Sequence, residues 1–397
     1  MRTAALGDLC EIIMGQAPSG ETYNAEGDGA PLIAGASDFG EFSPKPKRHT
    51  TAPAKLSRVG DIILCVRATI GDLNWSDREY CLGRGVAGIR PNREKIDPSF
   101  AWWILHANAG NLAALGRGAT FKQINRADIE GLEVSLPPLD EQRRIAAILD
   151  QANDLRRQRR EAIAKLAKLS TGLFVELFGT PRISSASSSI SDLGSISVFE
   201  NGDRSSNYPS GDDILTSGIP FLSTKNIVDD KLDLGSLLFI SSSKFASLSR
   251  GKARHNDLII TLRGTLGSCC IFDGPFSTAF INAQMMIIRP KSDMSPVFLH
   301  AYLTLPAIKE HLQQIGNGAA VPQLTAKQLA GLPIPHPPLP LQRAFAARVA
   351  EIDKLKAHHR AHLARLDALF ASLQHRAFRG DLSAPSFSRA REKAASP

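Results

Sequence analysis

The chain reads GATFKQINRADIEGLEVSLPPLDEQRR from Gly118 to Arg144, and in altered form GAAVPQLTAKQLAGLPIPHPPLPLQRA from Gly318 to Ala344. Gln123 and Gln323, Gly131 and Gly331, Pro137 and Pro337, Pro138 and Pro338, Gln142 and Gln342, and Arg143 and Arg343 coincide without a gap. Moving upstream, GDIILCVRATIG (Gly60–Gly71) returns as NDLIITLRGTLG (Asn256–Gly267), and the AGIRP turn at Ala87 returns as MIIRP at Met286. The spacing is about 200 residues, too long and repeated too few times for a solenoid. Two globular domains in tandem, each with its own closing helix, account for it.

Downstream of each block lies that helix. Pro137 and Pro138 stop irregular structure, Asp140 stands where an N-cap belongs, and Glu141 suits the positive end of the helix dipole. From there to Phe178 a heptad places Ile148, Leu155, Ala162 and Leu169 at one position and Ile145, Ala152, Leu166 and Leu173 at the other. Gly179 and Pro181 close the run. A second helix is expected from about Leu341 to Phe378, with Phe345, Ile352, Leu366 and Leu373 at equivalent positions and Gly380 at its end. Each spans on the order of 55 Å at ~1.5 Å per residue. Two amphipathic helices of equal length bury their stripes most cheaply against each other, here as an antiparallel coiled coil. Arg159 and His359 are polar residues in mid-seam, where they would fix register at a cost in stability.

Composition frames the rest. In 397 residues the chain has 47 Lys and Arg against 39 Asp and Glu, a net charge of +8 that leans toward polyanions. Its 43% hydrophobic content lets each half bury a core. The cysteines, Cys10, Cys65, Cys81, Cys269 and Cys270, show no CxxC pair and no metal spacing, and read as reduced core thiols. No signal peptide and no run of ~18–20 apolar residues is present, so a cytoplasmic protein without a membrane association is expected. Short β-rich runs such as Asp61–Arg67 and Val86–Ile89 make the first domain mixed α/β, and Pro98–Leu115 reads as a helix with Phe100, Trp103, Ile104 and Ala107 on its packed face.

Catalytic signatures are missing. GRGVAG (Gly83–Gly88) has the GxGxxG spacing, yet an IRPN strand follows it instead of the helix start that would cradle a pyrophosphate. His358, His359 and His362 lack a third ligand or an HExxH glutamate. No P-loop, GxSxG elbow, (D/N)PP(Y/F) box or clustered acidic nuclease site is visible. The chain reads as a binder with no cofactor of its own.

Binding chemistry gathers at three places in each half. Arg67, Thr69 and Gly71, repeated as Arg263, Thr265 and Gly267, follow a buried strand and offer a guanidinium, a hydroxyl and backbone N–H groups to phosphate or guanine. Capping or acid-pairing arginines would give the same pattern for purely structural reasons. A loop before each helix carries Arg117, Thr120, Lys122 and Gln123, against Asn317 and Gln323 in the second copy; Ala320 and Pro322 replace Thr120 and Lys122, so the halves need not read the same feature. Ser37 and Asp38, and Thr224, Lys225 and Asn226, follow further apolar strands.

The strand ending in R-x-T-x-G, the IRP turn, the G-A-x-x-x-Q segment and the LPPL-x-x-QR helix start, all present twice, resemble the specificity subunit of type I restriction–modification systems. The likeness runs from Leu6 to about Leu382. It implies a mixed α+β fold: a target-recognition domain over 1–137, a spacer helix over 138–180, a serine-rich linker over 181–192, a second domain over 193–337, a second helix over 338–380 and a disordered tail over 381–397. It also implies a non-catalytic reader of a bipartite, asymmetric double-stranded DNA target. Such a reader docks two modification (methyltransferase) subunits, which use S-adenosylmethionine, and restriction subunits, which use ATP and Mg. Pro340 and Leu341 stand where the family has an acidic helix start. A coiled-coil adaptor that binds only proteins is the alternative.

Overall fold

Asp61 and Asp257 each end a tight turn whose preceding residue is left-handed (Gly60 φ 88°, Asn256 φ 70°), and each directly precedes an inner strand of an antiparallel sheet. The computed structural model describes residues 2–118, 121–180, 190–316, 322–379 and 381–382. They form two units, one of residues 1–160 and 361–397, the other of 161–360.

In the first unit the strand Ile62–Cys65 lies between Val86–Pro91 and Leu73–Trp75, with Cys10–Met14 at the edge. A second four-stranded sheet orders Tyr23–Asn24, Arg48–Thr50, Ala30–Ile33 and Cys81–Leu82, the last pair parallel. The second unit repeats both sheets: Ser197–Asn201, Met285–Pro290, Leu258–Thr261, Cys269–Ile271, and Leu238–Ile240, Ile219–Leu222, Thr278–Ile281, Lys252–Arg254. Again one pair, Ile219–Leu222 with Thr278–Ile281, is parallel. A hairpin of Ile227–Val228 and Lys231–Leu232 is added there. The central strands are buried on both faces, which is why they read as unbroken apolar runs. The strand Ile190–Asp192, expected as the end of the serine-rich linker, pairs with Pro333–Pro335; residues 181–189 lie outside the described residues, as do 383–397 of the tail.

The helix expected over Pro98–Leu115 is two, Pro98–Ala107 and Ala109–Ala114, broken at Asn108. Its aromatic face packs as core, with Phe100, Trp103 and Ile104 buried, whereas Ala107, expected on that face, is exposed at the helix end. The second copy has the same break, between Pro296–Leu303 and Pro306–Gly316.

The long helices run Leu139–Phe178 and Leu339–Arg379. Both begin one residue after the Pro-Pro pair, so Asp140 is in the first turn and is not the cap. Pro340 also falls in the first turn, where a missing N–H costs nothing. Gln142 and Gln342 explain why their positions repeat. The buried Gln142 amide accepts from the Asp97 N–H (2.8 Å) and donates to Pro137 O (2.9 Å) and Lys95 O (3.4 Å). Gln342 accepts from the Ser295 N–H (2.8 Å) and donates to Pro337 O (2.8 Å) and Asp293 O (3.2 Å). One side chain thus ties the start of each long helix to the cap of the helix beneath it.

Within each unit the two long helices pack antiparallel. In the first, Arg144 hydrogen-bonds Leu382 O while Arg156 pairs with Asp367 at 2.6 Å. In the second, Lys356 donates to Ser170 Oγ at 3.1 Å while Phe174 and Phe178 pack on Phe345. Ile145 and Phe345 are fully buried, Ile352 nearly so, and Ile148, Leu166, Leu173, Leu366 and Leu373 half-buried. Complete burial of each such side chain is worth about 1.5–3 kcal/mol.

The second seam row departs from the heptad reading. It runs through Leu149, Arg156 and Ser170, and through Val349, Lys356 and Phe370, whereas Leu155 (43% exposed) and Leu169 (54%) face outward, as do Leu355 (51%) and Leu369 (50%). The reason is that a long basic stem covers apolar surface well: the Arg156 guanidinium lies 4.3 Å over the Phe370 ring. Arg159 belongs to the first unit and His359 to the second, both half-buried.

Candidate nucleic-acid interface

In each unit the strand that carries the repeated arginine meets the loop that precedes the long helix. In the first, the Ile124 N–H donates to Val66 O (3.0 Å) and the Ala68 N–H to Lys122 O (3.0 Å). In the second, the Leu324 N–H donates to Leu262 O at 2.9 Å. Arg67 and Arg263 each form an isolated bridge, to Gln123 and Gln323 respectively. Just after each arginine the backbone is left-handed, at Ala68 (φ 64°) and Gly264 (φ 81°). Alanine tolerates this poorly, so the turn is held by its surroundings at a cost of about 1–2 kcal/mol.

The two clefts that result differ. The first, about 660 Å³, is lined by Tyr23, Ser37, Arg48, Arg67, Thr69, Arg84 and Phe121. Two of its guanidinium groups lie over aromatic rings, Arg67 over Phe121 at 5.5 Å and Arg48 over Tyr23 at 5.6 Å. The second, about 350 Å³, is lined by Asn201, Arg204, Arg250, Arg263, Gln323 and Thr325. There Gln323 Oε1 accepts from Arg263 Nε (3.0 Å) and Nη2 (2.8 Å), aiming the guanidinium without an aromatic support. Stacked or amide-held guanidinium groups suit guanine edges and phosphates.

Several expected site residues serve the fold. Gly71 and Gly267 are buried, and their N–H groups donate to Cys65 O (3.0 Å) and Thr261 O (3.1 Å) rather than lying open to a ligand. A Cβ on Gly71 would stand 2.7 Å from that of Ala109. Asp38 is buried and accepts from the Ala34 N–H at 2.8 Å; Asn226 is buried and accepts from the Ser223 N–H (2.9 Å) and hydroxyl (3.1 Å). Arg117 pairs with Asp128 at 2.9 Å. Ser37, Thr69, Lys122, Gln123, Lys225, Arg263 and Thr265 are exposed, and Arg67, Thr224 and Gln323 half-exposed. Thr120 and Asn317 lie outside the described residues.

Sequence reasoning missed Tyr23, Arg48, Arg84, Phe121, Arg204 and Arg250. Arg84 sat in view inside GRGVAG. Its glycines are there because Ile33 and Ala34 pass so close that a Cβ on Gly85 would meet Ala34 O at 2.1 Å, and a strand does follow, as the fingerprint's rejection required. Among the described residues no group of three or more His, Cys, Asp or Glu is placed to hold a metal, and no helix is long and apolar enough to cross a membrane. All five thiols are buried and unbridged; burial pushes Cys10 and Cys270 up to about 12.

A family model described as the type I restriction modification DNA specificity domain matches residues 1–165 and again 186–367. The chain belongs to that family. It is therefore the specificity subunit of a type I restriction–modification system, the non-catalytic component that recognises the DNA target. It is 24% identical to the EcoBI specificity subunit of Escherichia coli over 96% of this chain and 86% of that one. It is 41% identical, over 40% of this chain and 38% of the other, to a Methanocaldococcus jannaschii protein named as the MjaX type I restriction enzyme specificity subunit. The fold is that of the S subunit from M. genitalium, at TM-score 0.59 and 18% identity, covering 95% of this chain and 96% of that one.

In this specificity subunit the repeated motifs divide into those spent on the scaffold and those that line the clefts. The IRP arginines are scaffold. Arg90 holds Asp61 through Nε (2.9 Å) and Nη2 (2.8 Å), and Arg289 holds Asp257 likewise (2.8 and 2.7 Å). The hydrogen bonds to these carboxylates raise both guanidinium groups above their ordinary range. The R-x-T arginines, by contrast, face the clefts.

Proposed function

We propose that the specificity subunit reads an asymmetric bipartite target, the first cleft one half-site and the second cleft the other. The observation that carries this is a repeated scaffold bearing unlike chemistry: Arg48, Arg67 and Arg84 with two rings in one cleft, Arg204, Arg250 and Arg263 with Gln323 in the other. Ser37, Thr69, Lys122 and Gln123 complete the first surface in this reading, and Thr224, Lys225 and Thr265 the second. Arg117 and Asp128 hold the first reading loop in place. The gap between half-sites is set by the long helices, about 60 Å each at ~1.5 Å per residue, acting as spacers between the domains over 1–137 and 193–337.

The partners in this reading are two methyltransferase subunits and the restriction subunits, in the cytoplasm, with S-adenosylmethionine, ATP and Mg bound by those partners. A duplicated surface supports two copies of one partner: Leu155 and Leu355, and Leu169 and Leu369, occupy matching positions of the two helices and all four are exposed. Gel shifts of the assembled methyltransferase with competitor DNA across salt concentrations test the reading. Phosphate contacts give a steep fall of affinity with salt; a protein-only adaptor gives no shift at all.

A further inference from the structure

Phe121 is an unprotected aromatic ring at the edge of the first cleft. It is 56% exposed, on a loop closed at its base by the Arg117 N–H to Gln123 O (3.0 Å) and the Gln123 N–H to Arg117 O (2.9 Å). Gly118 is in the left-handed region at φ 131°, and a Cβ there would lie 2.4 Å from Phe121 O. One face of the ring carries the Arg67 guanidinium, and the lining includes Arg48 and Arg84. A large apolar ring held in water among cations gains most from a flat apolar surface that is itself anionic at its margins, and a nucleobase on its phosphate backbone is one. The second copy has Val321 at this position, and its guanidinium takes Gln323 as partner instead.

We propose that Phe121 is a stacking wedge of the first recognition unit: its ring inserts against a base step of one half-site while Arg67, carried on its face, reads the adjacent base edge. The second unit reads its half-site without a wedge. This rests on the first cleft being a base-contacting surface, and it adds that the two half-sites are deformed unequally. Apolar side chains partly unstack the step they enter, so sequence preference at that step comes from its deformability as well as from hydrogen bonds.

The test uses the complex assembled with its methyltransferase subunits and a duplex carrying the target mapped for it. A fluorescent adenine analogue replaces one base at a time. Apart from the bases that the methyltransferase subunits themselves flip out of the stack, the wild type gives a fluorescence rise at one step of one half-site. Phe121→Ala abolishes that rise and weakens binding about tenfold, within the range for loss of one base–aromatic stack, while Phe121→Tyr restores both. If Phe121→Ala binds as the wild type does and leaves every fluorescence signal in place, the wedge is refuted. Arg67→Ala separates the two levels: lost affinity with an inert Phe121→Ala keeps the cleft and removes the wedge, and no loss from either variant removes the cleft reading too.

Discussion

Arg90 grips the Asp61 carboxylate at two points, and Asp61 uses the same carboxylate to accept the Arg58 N–H at 2.7 Å. Arg289 and Asp257 repeat the arrangement, down to the Arg254 N–H at 2.8 Å. The pair pins the turn before the central strand to the neighbouring strand, and that central strand delivers the cleft arginine at its far end. Because Asp61 is buried, removing it leaves the Arg58 N–H without its acceptor and the Arg90 guanidinium with Glu11 (2.9 Å) as its one remaining carboxylate. Asp61→Ala is expected to cost about 3 kcal/mol. Trp75, Trp102 and Trp103, the chain's three tryptophans, all lie in the first unit, so the urea midpoint of tryptophan fluorescence reads the loss. An unchanged midpoint would show the pair to be dispensable.

Asp203 links the two loops that carry Arg204 and Arg250. It is buried, and it accepts from the Ser205 N–H (2.7 Å), the Ser249 N–H (3.0 Å) and the Ser249 hydroxyl (3.0 Å). Burial alone would raise its carboxyl, but the hydrogen bonds from Ser205 and Ser249 outweigh burial and hold it well below the usual range. With the folded value depressed, its stabilising contribution is whole above about pH 4 and drains away as the pH falls further. Asp203→Asn should therefore lower stability at pH 7 by about 2 kcal/mol, and the difference from wild type should shrink below pH 4. Calorimetry across that range checks it; a difference independent of pH would contradict the account.

The exposed leucines make a prediction about assembly. Leu169→Glu and Leu369→Glu put charge on positions already in water, so folding should be unchanged. Copurification of the methyltransferase subunits should fall at least tenfold with either variant, about 1.4 kcal/mol. Retained stoichiometric assembly in the double variant would exclude this surface as the docking site.

The repeat made the architecture legible, because two independent copies of QR after Pro-Pro, of R-x-T-x-G and of IRP marked the residues that both halves need. The seam phase was not legible. Arg156 and Ser170 look like surface residues and Leu155 and Leu169 like core, yet the aliphatic stem of Arg156 and the ring of Phe370 reverse that order. Site residues split along the same line. Arg67 and Arg263 stood out as polar ends of apolar strands, but Gly71, Asp38 and Asn226 looked equally available and are spent on turns. Arg48, Arg84, Arg204 and Arg250 lie far apart in the chain and are gathered only by strand order, which no local pattern encodes.

Base-resolved methylation sequencing of cells carrying the partner subunits with wild-type, Arg67→Ala or Arg263→Ala chains tests the two-reader account most directly. It predicts a two-part asymmetric motif with an unread gap, relaxed in one half by Arg67→Ala and in the other half by Arg263→Ala. A single uninterrupted motif, or both halves relaxing together in either variant, would contradict it.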